Sequence, residues 1–270
     1  MRLPSGMPEL AEVEWYRNQW NAGIGDEITA VRLHSGKYVL RGLNHSRLRK
    51  DLVGKILIDS HRHGKQMLFR FSSDRWLGIH LGMTGKTRVE TADFKPDKYD
   101  HLVLYQRKRA LVFTDVRQLG RVRFDTGPGA PPWWKTDPPK IESPAFNRAF
   151  FDGYLKRHGK AAIKAVLLMQ TGFAGIGNWM ADEILWRAGV LPAKRVYRLT
   201  GHEREQIFRS TKSVVQRALA TTGRDFSEPP RHWLIHQKWK RDGKCPKHQI
   251  PLRRAMICGR STVWCPTCQK

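Results

Sequence analysis

The pairs Cys245-Pro-Lys-His248 and Cys265-Pro-Thr-Cys268 carry the plainest chemistry in the chain, two x2-spaced turns separated by sixteen residues. A two-residue gap lets both side chains of a tight turn reach one tetrahedral ion, and two such turns close a structural zinc site. The fourth cysteine, Cys258, belongs to no such turn and is the weaker candidate ligand. All four cysteines fall in the last 26 residues, a clustering that favours metal over disulfides in a reducing compartment. Three thiolates and one neutral imidazole would leave the site near −1, milder beside phosphate than the −2 of four thiolates. Between the pairs, Gly259-Arg260-Ser261-Thr262 reads as a hairpin that presents Arg260 as a fork for phosphate. Further back, Gly175-Ile176-Gly177 leads into a helix at Asn178. Backbone N–H groups exposed there can hold a phosphate, although on local grounds Asn178 serves equally as an N-cap.

The elements that must position these groups fall into blocks. From Pro8 to Trp20 the apolar residues Leu10, Val13, Tyr16 and Trp20 recur at helical spacing, with Glu9, Glu12 and Glu14 in the first turns. Seven short segments follow with Gly or polar turns between them, and they predict strands of a sandwich or barrel: 28–33, 37–41, 55–59, 65–71, 76–81, 102–105 and 110–114. The proline-rich stretch 126–144 excludes regular helix or central strand and reads as a linker. Helical spacing then returns at Ile163, Val166 and Leu167, at Ala181, Ile184, Leu185 and Ala188, and at Phe208, Thr211, Val215 and Ala218. A short, basic, cysteine-bearing segment begins near Lys238. The expected division is therefore an extension at 1–6, a β-sandwich domain at 7–125, a linker at 126–144, a helical domain at 145–237 and a zinc finger at 238–270.

Charge narrows the function. The 270 residues hold 49 Lys plus Arg against 24 Asp plus Glu, and 49 − 24 gives +25. Self-repulsion of that size calls for a polyanionic partner, nucleic acid before an anionic membrane surface. Apolar residues make up 40% of the chain, enough for packed cores, so disorder is excluded. The longest apolar run is far short of the roughly 20 residues of a membrane span, and residues 1–6 lack the apolar region of an export signal. A cytoplasmic, nucleoid-associated protein is expected.

Several segments coincide in order and spacing: Met7-Pro8-Glu9-Leu10-Ala11-Glu12-Val13-Glu14, Gly64-Lys65, His80-Leu81-Gly82-Met83-Thr84-Gly85, Asp115-Val116-Arg117-Gln118-Leu119-Gly120, Gly175 to Glu183, and Gly259-Arg260-Ser261-Thr262 to Gln269. Together they resemble the formamidopyrimidine-DNA glycosylase and endonuclease VIII family over nearly the whole chain from Met7. The resemblance implies an α+β multidomain fold: an N-terminal β-sandwich with a leading helix, a helix-two-turns-helix domain and a C-terminal zinc-finger β-hairpin. It implies excision of oxidised bases from double-stranded DNA, followed by β- and δ-elimination of the abasic sugar, by a monomer carrying one structural zinc ion.

By the same resemblance Pro8 is the nucleophile, Glu9 the proton carrier at the sugar ring oxygen and Lys65 a phosphate neighbour that lowers the amine's pKa. Met83, Arg117 and Leu119 fill the gap left by the extruded nucleotide, and His80, Asn178 and Arg260 mark the phosphate track. A proline amine suits the task because a terminal amine, near 7.7–8.0, is far more often unprotonated at neutral pH than lysine. On local grounds alone, Pro8 and Glu9 are first-turn helix residues, Lys65 a solvated strand lysine, and Met83 and Leu119 core.

Four departures matter. Residues 1–6 precede the Met7-Pro8 motif, and an amide nitrogen is no nucleophile, so the amine is expected from a start at Met7 with that methionine removed, or from cleavage. Leu119 stands where phenylalanine is usual, and His248 replaces a cysteine. The segment 221–230 looks shorter than in members that cap an everted 8-oxoguanine, so formamidopyrimidines, hydantoins or oxidised pyrimidines are expected to outrank that purine. The competing reading is a non-catalytic zinc-containing binder of abasic or distorted DNA, with Pro8 masked by the extension.

Overall fold

The computed structural model describes residues 7–34, 36–134 and 137–270. Within them the chain forms two compact units, one of residues 7–8 and 12–134, the other of residues 9–11 and 137–270. The first six residues, and the expectations that fall on them, lie outside the described residues.

The first unit is a β-sandwich with a leading helix. Helix α1 (Leu10–Gln19) ends in a 3-10 turn at Trp20–Gly23, and the buried Trp20 ring packs 4.7 Å from that of Phe69. One antiparallel sheet has the order β1 (Ala30–Leu33), β6 (Asp100–Tyr105), β7 (Arg109–Thr114), β5 (Lys86–Thr91). The other has β2 (Leu57–His63), β3 (Gln66–Phe71), β4 (Arg75–His80), β8 (Arg121–Thr126). Met67, Phe69 and Phe71 are buried, as one inward face of a strand requires.

Three local readings are corrected. The strand expected at 37–41 is a 3-10 turn, Tyr38–Leu40, closed by Leu40 N–H to Lys37 O (3.0 Å) and Arg41 N–H to Tyr38 O (3.1 Å). Its β-forming residues bury Val39 and Leu40 from a turn instead, so packing overrides propensity. Helix α2 (His45–Leu52) was not expected. Asn44 caps it by accepting from Arg47 N–H (2.9 Å), and Leu48 and Leu52 bury one face at i, i+4. Strands β5 and β8 were also not among those expected; Lys86-Thr-Arg-Val-Glu-Thr and Arg121-Val-Arg-Phe-Asp-Thr are mostly charged or polar and carry few apolar residues to mark a strand. Both lie at sheet edges, where alternate residues face water and charge discourages further pairing.

The second unit is helical: α3 (Arg148–Arg157), α4 (Ile163–Leu167), α5 (Asn178–Ala188), α6 (Gly201–Ala220), α7 (Thr222–Asp225) and α8 (Ile235–Lys238). Helix α3 adds to the helices expected and is capped by Asn147, which accepts from Phe150 N–H (2.9 Å). Between α4 and α5 the chain makes two successive turns, Gly172 N–H to Met169 O (3.1 Å) and Ile176 N–H to Phe173 O (3.1 Å). Phe146, Phe151 and Phe173 lie in its buried core with Trp179 and Trp233. At the end, β9 (Arg253–Ile257) and β10 (Arg260–Trp264) pair as an antiparallel hairpin. Cys258 and Gly259 form its two-residue turn, both with positive φ (51° and 69°), as such tight turns demand. No helix among the described residues is long and apolar enough to cross a membrane.

Candidate functional site

The two cysteine-bearing turns converge. The ligand atoms of Cys245, His248, Cys265 and Cys268 all lie within 4.8 Å of one another. His248 Nδ1 stands 3.6 Å from the sulfurs of both Cys245 and Cys265, and Cys245 and Cys268 are 3.9 Å apart. These separations match the edges of a tetrahedron around an ion bonded at about 2.0–2.3 Å. Cys258 sits exposed at the hairpin tip and takes no part. Burial pushes the Cys245 thiol up, but the Trp186 indole N–H (3.4 Å) and the Lys247 and His248 backbone N–H groups prevail and bring it to about 6. Burial and the neighbouring sulfurs push Cys268 up to about 12. The donor set thus fits a divalent cation, whose charge is what several adjacent thiolates need.

Glu9 occupies the start of α5. The residue is 3% exposed, and its carboxylate accepts three backbone N–H bonds, from Gly177 (2.9 Å), Trp179 (2.9 Å) and Met180 (3.1 Å). Leu10 N–H donates to Gly175 O (3.0 Å) beside it. Glycine is needed at both turn positions: Gly175 has φ 94°, and a Cβ on Gly177 would come within 2.3 Å of the Glu9 carboxyl carbon. The phosphate cradle expected at this turn is therefore corrected. Three N–H groups at the helix start already bind a carboxylate, the anion that the helix N-terminus attracts. Asn178 is not the N-cap either; that position is Gly177, and Asn178 opens the helix with its side-chain amide donating to Ser261 O (2.9 Å).

Ser261 O is a meeting point. It also accepts from the ammonium groups of Lys238 (3.1 Å) and Lys164 (3.4 Å), both of which pair with Asp182. Lys164 further donates to Thr262 Oγ1 (2.7 Å). All three charged groups are buried, and burial brings the Lys164 ammonium down to about 8 against the pull of Asp182. This cluster ties α4, α5 and α8 to β10, and so seats Arg260, the exposed first residue of β10. Periodicity did not reveal it, because a lysine inside a helical pattern reads as solvated. Glu183 is likewise fully buried, bonded to Arg187 Nε (2.8 Å) and Leu234 N–H (2.7 Å). It orders the chain at Leu234.

In the sandwich unit Pro8 is buried, and the Met7 sulfur stands 4.0 Å from Lys65 Nζ. Lys65 follows Gly64 (φ 55°) in the two-residue turn between β2 and β3. His80, which ends β4, accepts from Gly82 N–H through Nδ1 (3.1 Å). Burial, then Lys65, Arg123 and Arg41, hold its imidazole below the usual value. Met83 and Arg117 come together, with Arg117 Nη1 3.4 Å from the Met83 sulfur. Leu119, 45% exposed, shares their loop pair and is no core residue. Asp115, fully buried, fastens the pair by accepting from Thr84 Oγ1 (2.5 Å) and the backbone N–H groups of Gly120 (2.7 Å) and Arg117 (3.3 Å). A Cβ on Gly82 (φ 62°) would meet the Leu119 carbonyl carbon at 2.5 Å, so the loops touch backbone to backbone.

Comparison with known proteins agrees with this arrangement. The pattern of the formamidopyrimidine-DNA glycosylase N-terminal domain matches residues 7–122, and that of the formamidopyrimidine-DNA glycosylase H2TH domain matches residues 137–228. The formamidopyrimidine-DNA glycosylase of Pelotomaculum thermopropionicum is 32% identical over 98% of this chain and 99% of its own length. That of Lactococcus lactis subsp. cremoris is 30% identical over 98% of this chain and its full length. The crystal structure of the Lactococcus lactis enzyme with DNA containing an oxidised pyrimidine superposes with a TM-score of 0.87 at 29% identity, covering 97% of this chain and all of that one. The chain belongs to the formamidopyrimidine-DNA glycosylase and endonuclease VIII family of DNA-repair glycosylases, with that family's sandwich, helix-two-turns-helix domain and C-terminal Cys/His finger.

Proposed function

We propose that the chain is a bifunctional DNA glycosylase and abasic-site lyase that removes oxidised bases from double-stranded DNA as a zinc-containing, cytoplasmic, nucleoid-associated monomer. The division into extension, sandwich domain, linker, helical domain and finger is part of this reading. The observation that carries it is the seat of Glu9: the carboxylate directly following Pro8 is fixed by three backbone donors rather than left to solvent.

In the active form Pro8 is the first residue, and its ring nitrogen is a secondary amine. The amine bonds to C1′ as the glycosidic bond breaks, and the base leaves with the electron pair and a proton. Glu9 delivers a proton to the ring oxygen, which opens the sugar as an iminium. Loss of a C2′ proton then drives elimination of the 3′ phosphate, and a second elimination releases the 5′ phosphate. Lys65 neutralises phosphate and, as a neighbouring cation, favours the unprotonated amine. Met83, Arg117 and Leu119 fill the vacated stack, His80 and Arg260 hold the backbone, and Asn178 joins them through the second hydrogen of its side-chain amide rather than through the helix-start N–H groups. Cys245, His248, Cys265 and Cys268 hold zinc, which supports the hairpin and takes no part in the reaction.

Borohydride trapping on an abasic oligonucleotide tests the mechanism. A chain beginning at Pro8 is expected to crosslink, and one retaining residues 1–7 is not. Equal trapping by both would remove Pro8 from the role, and trapping by neither would favour the inert binder. The short α7, ended by Phe226 in the left-handed conformation (φ 61°), supports a small cover over the extruded base. Formamidopyrimidines, hydantoins or oxidised pyrimidines should therefore leave faster than 8-oxoguanine in single-turnover excision; the reverse order would refute this preference.

A further inference from the structure

The sheet β2-β3-β4-β8 turns Met67, Phe69, Leu77, Ile79 and Val122 into the core, and its opposite face carries a cluster of cations. Register places His80 between Gln66 and Arg121, and Gly78 between Leu68 and Arg123, in successive rows of that face. Arg41 joins them, because its guanidinium donates to Gly120 O (3.0 Å), one residue before Arg121, and to Tyr38 O (2.9 Å). Lys65 lies at the same end, next to Gln66. Arg123 is held in place by an aromatic seat. The Trp133 ring lies where a Cβ on Gly78 would come within 2.6 Å, and the Arg123 guanidinium stands 5.7 Å from a Trp133 ring centroid.

Like charges gathered this way repel one another unless something answers them. Burial, then Arg121 and Arg41, depress Arg123, and Arg123 and Arg41 in turn help depress His80. Among the described residues no carboxylate pairs with Arg41, Arg121 or Arg123. The oxygens of Asp115, on the neighbouring loop, already accept from Gly120, Thr84 and Arg117. The side chains are partly exposed, so the face is open to a polyanion.

We propose that Arg121 and Arg123, with Arg41 beside them, bind the DNA phosphodiester backbone and extend the phosphate track of Lys65 and His80 across this face. The inference rests on the DNA reading above. Guanidinium forks match phosphate oxygens, and the Trp133 seat and the Gly120 contact orient the forks before DNA arrives. Such contacts add affinity without sequence or lesion preference.

The test is equilibrium binding to undamaged duplex and to a duplex with an abasic analogue, from about 50 to 300 mM salt, where each phosphate contact contributes about 0.9 to the slope of log K against log salt. The Arg121→Gln/Arg123→Gln double variant should lose about two units of slope and weaken on both duplexes alike. Arg121→Lys/Arg123→Lys should keep the slope, which separates lost charge from lost fold. A glutamine variant that unfolds is replaced by the two single variants, each expected to lose about one unit. An unchanged slope, or weakening confined to the abasic duplex, overturns the assignment. Wild-type protein that binds duplex with no salt dependence overturns the DNA reading itself.

Discussion

The carboxylate of Glu9 lies 2.9 Å from the backbone nitrogen of Gly177, 168 residues further along the chain. The contact exists because residue 177 has no side chain. Gly177→Ala would place a methyl carbon 2.3–2.5 Å from three Glu9 side-chain atoms and force the carboxylate off the helix start. Base excision should fall by one to two orders of magnitude, with DNA affinity changed much less, and stability should drop by about 1–3 kcal/mol. Gly201→Ala, in a helix with open space around it, is the control and should leave excision intact. Single-turnover excision with a parallel binding titration separates the outcomes.

Metal removal should unmake the finger. The purified protein is expected to carry one equivalent of zinc by elemental analysis. Strong chelation, or Cys265→Ala, should release it and abolish DNA binding, because ligand contacts replace a larger core in so small a hairpin. His248→Cys should retain the metal, since a thiolate can complete the same tetrahedron.

Asp182 is the only acid paired with the buried Lys164 and Lys238 among the described residues. Asp182→Ala leaves two buried ammonium groups without a paired carboxylate, Lys164 keeping only the weaker pull of Glu9, and should cost about 3–5 kcal/mol in urea unfolding. Replacing all three charged residues together with apolar residues of similar volume should recover most of that loss. A small loss in the single variant would show that the cluster is hydrated.

Burial raises the Glu183 carboxyl from 4.5 to about 7, against the pull of Arg187 and two backbone N–H groups. Between pH 4.5 and about 7 the folded chain therefore binds more protons at this site than the unfolded chain does. Stability from this group is greatest below pH 4.5 and declines as pH rises to about 7. Glu183→Gln should remove that decline, so the variant's stability relative to wild type should improve steadily from pH 5 to pH 8 in urea titrations. A parallel pH dependence in both proteins would place the Glu183 titration elsewhere.

How much of this was legible follows from how local each signal is. The metal ligands lie two to a turn, so spacing alone paired Cys245 with His248 and Cys265 with Cys268, and the tertiary structure had only to bring the pairs together. Leu10, Val13, Tyr16 and Trp20 announced α1 in the same way. Charged edge strands hid because one face in water erases half of a strand's apolar pattern. The Tyr38–Leu40 turn hid because a β-forming run was packed from a turn.

The sequence by itself determined the type of chemistry: the donors of a metal site, a polycation's need for a polyanion, and an order of motifs shared with one family. Only the tertiary structure decided which partner each polar group has. It gave the α5 N-terminus to Glu9 rather than to an external phosphate, set two lysines and one aspartate under the hairpin, and placed Met83 and Leu119 at loop surfaces instead of in the core. Helix dipoles, buried charges and close backbone approaches join residues up to 171 positions apart, and no local pattern of residue types encodes which of many chemically equivalent partners lies within hydrogen-bonding reach.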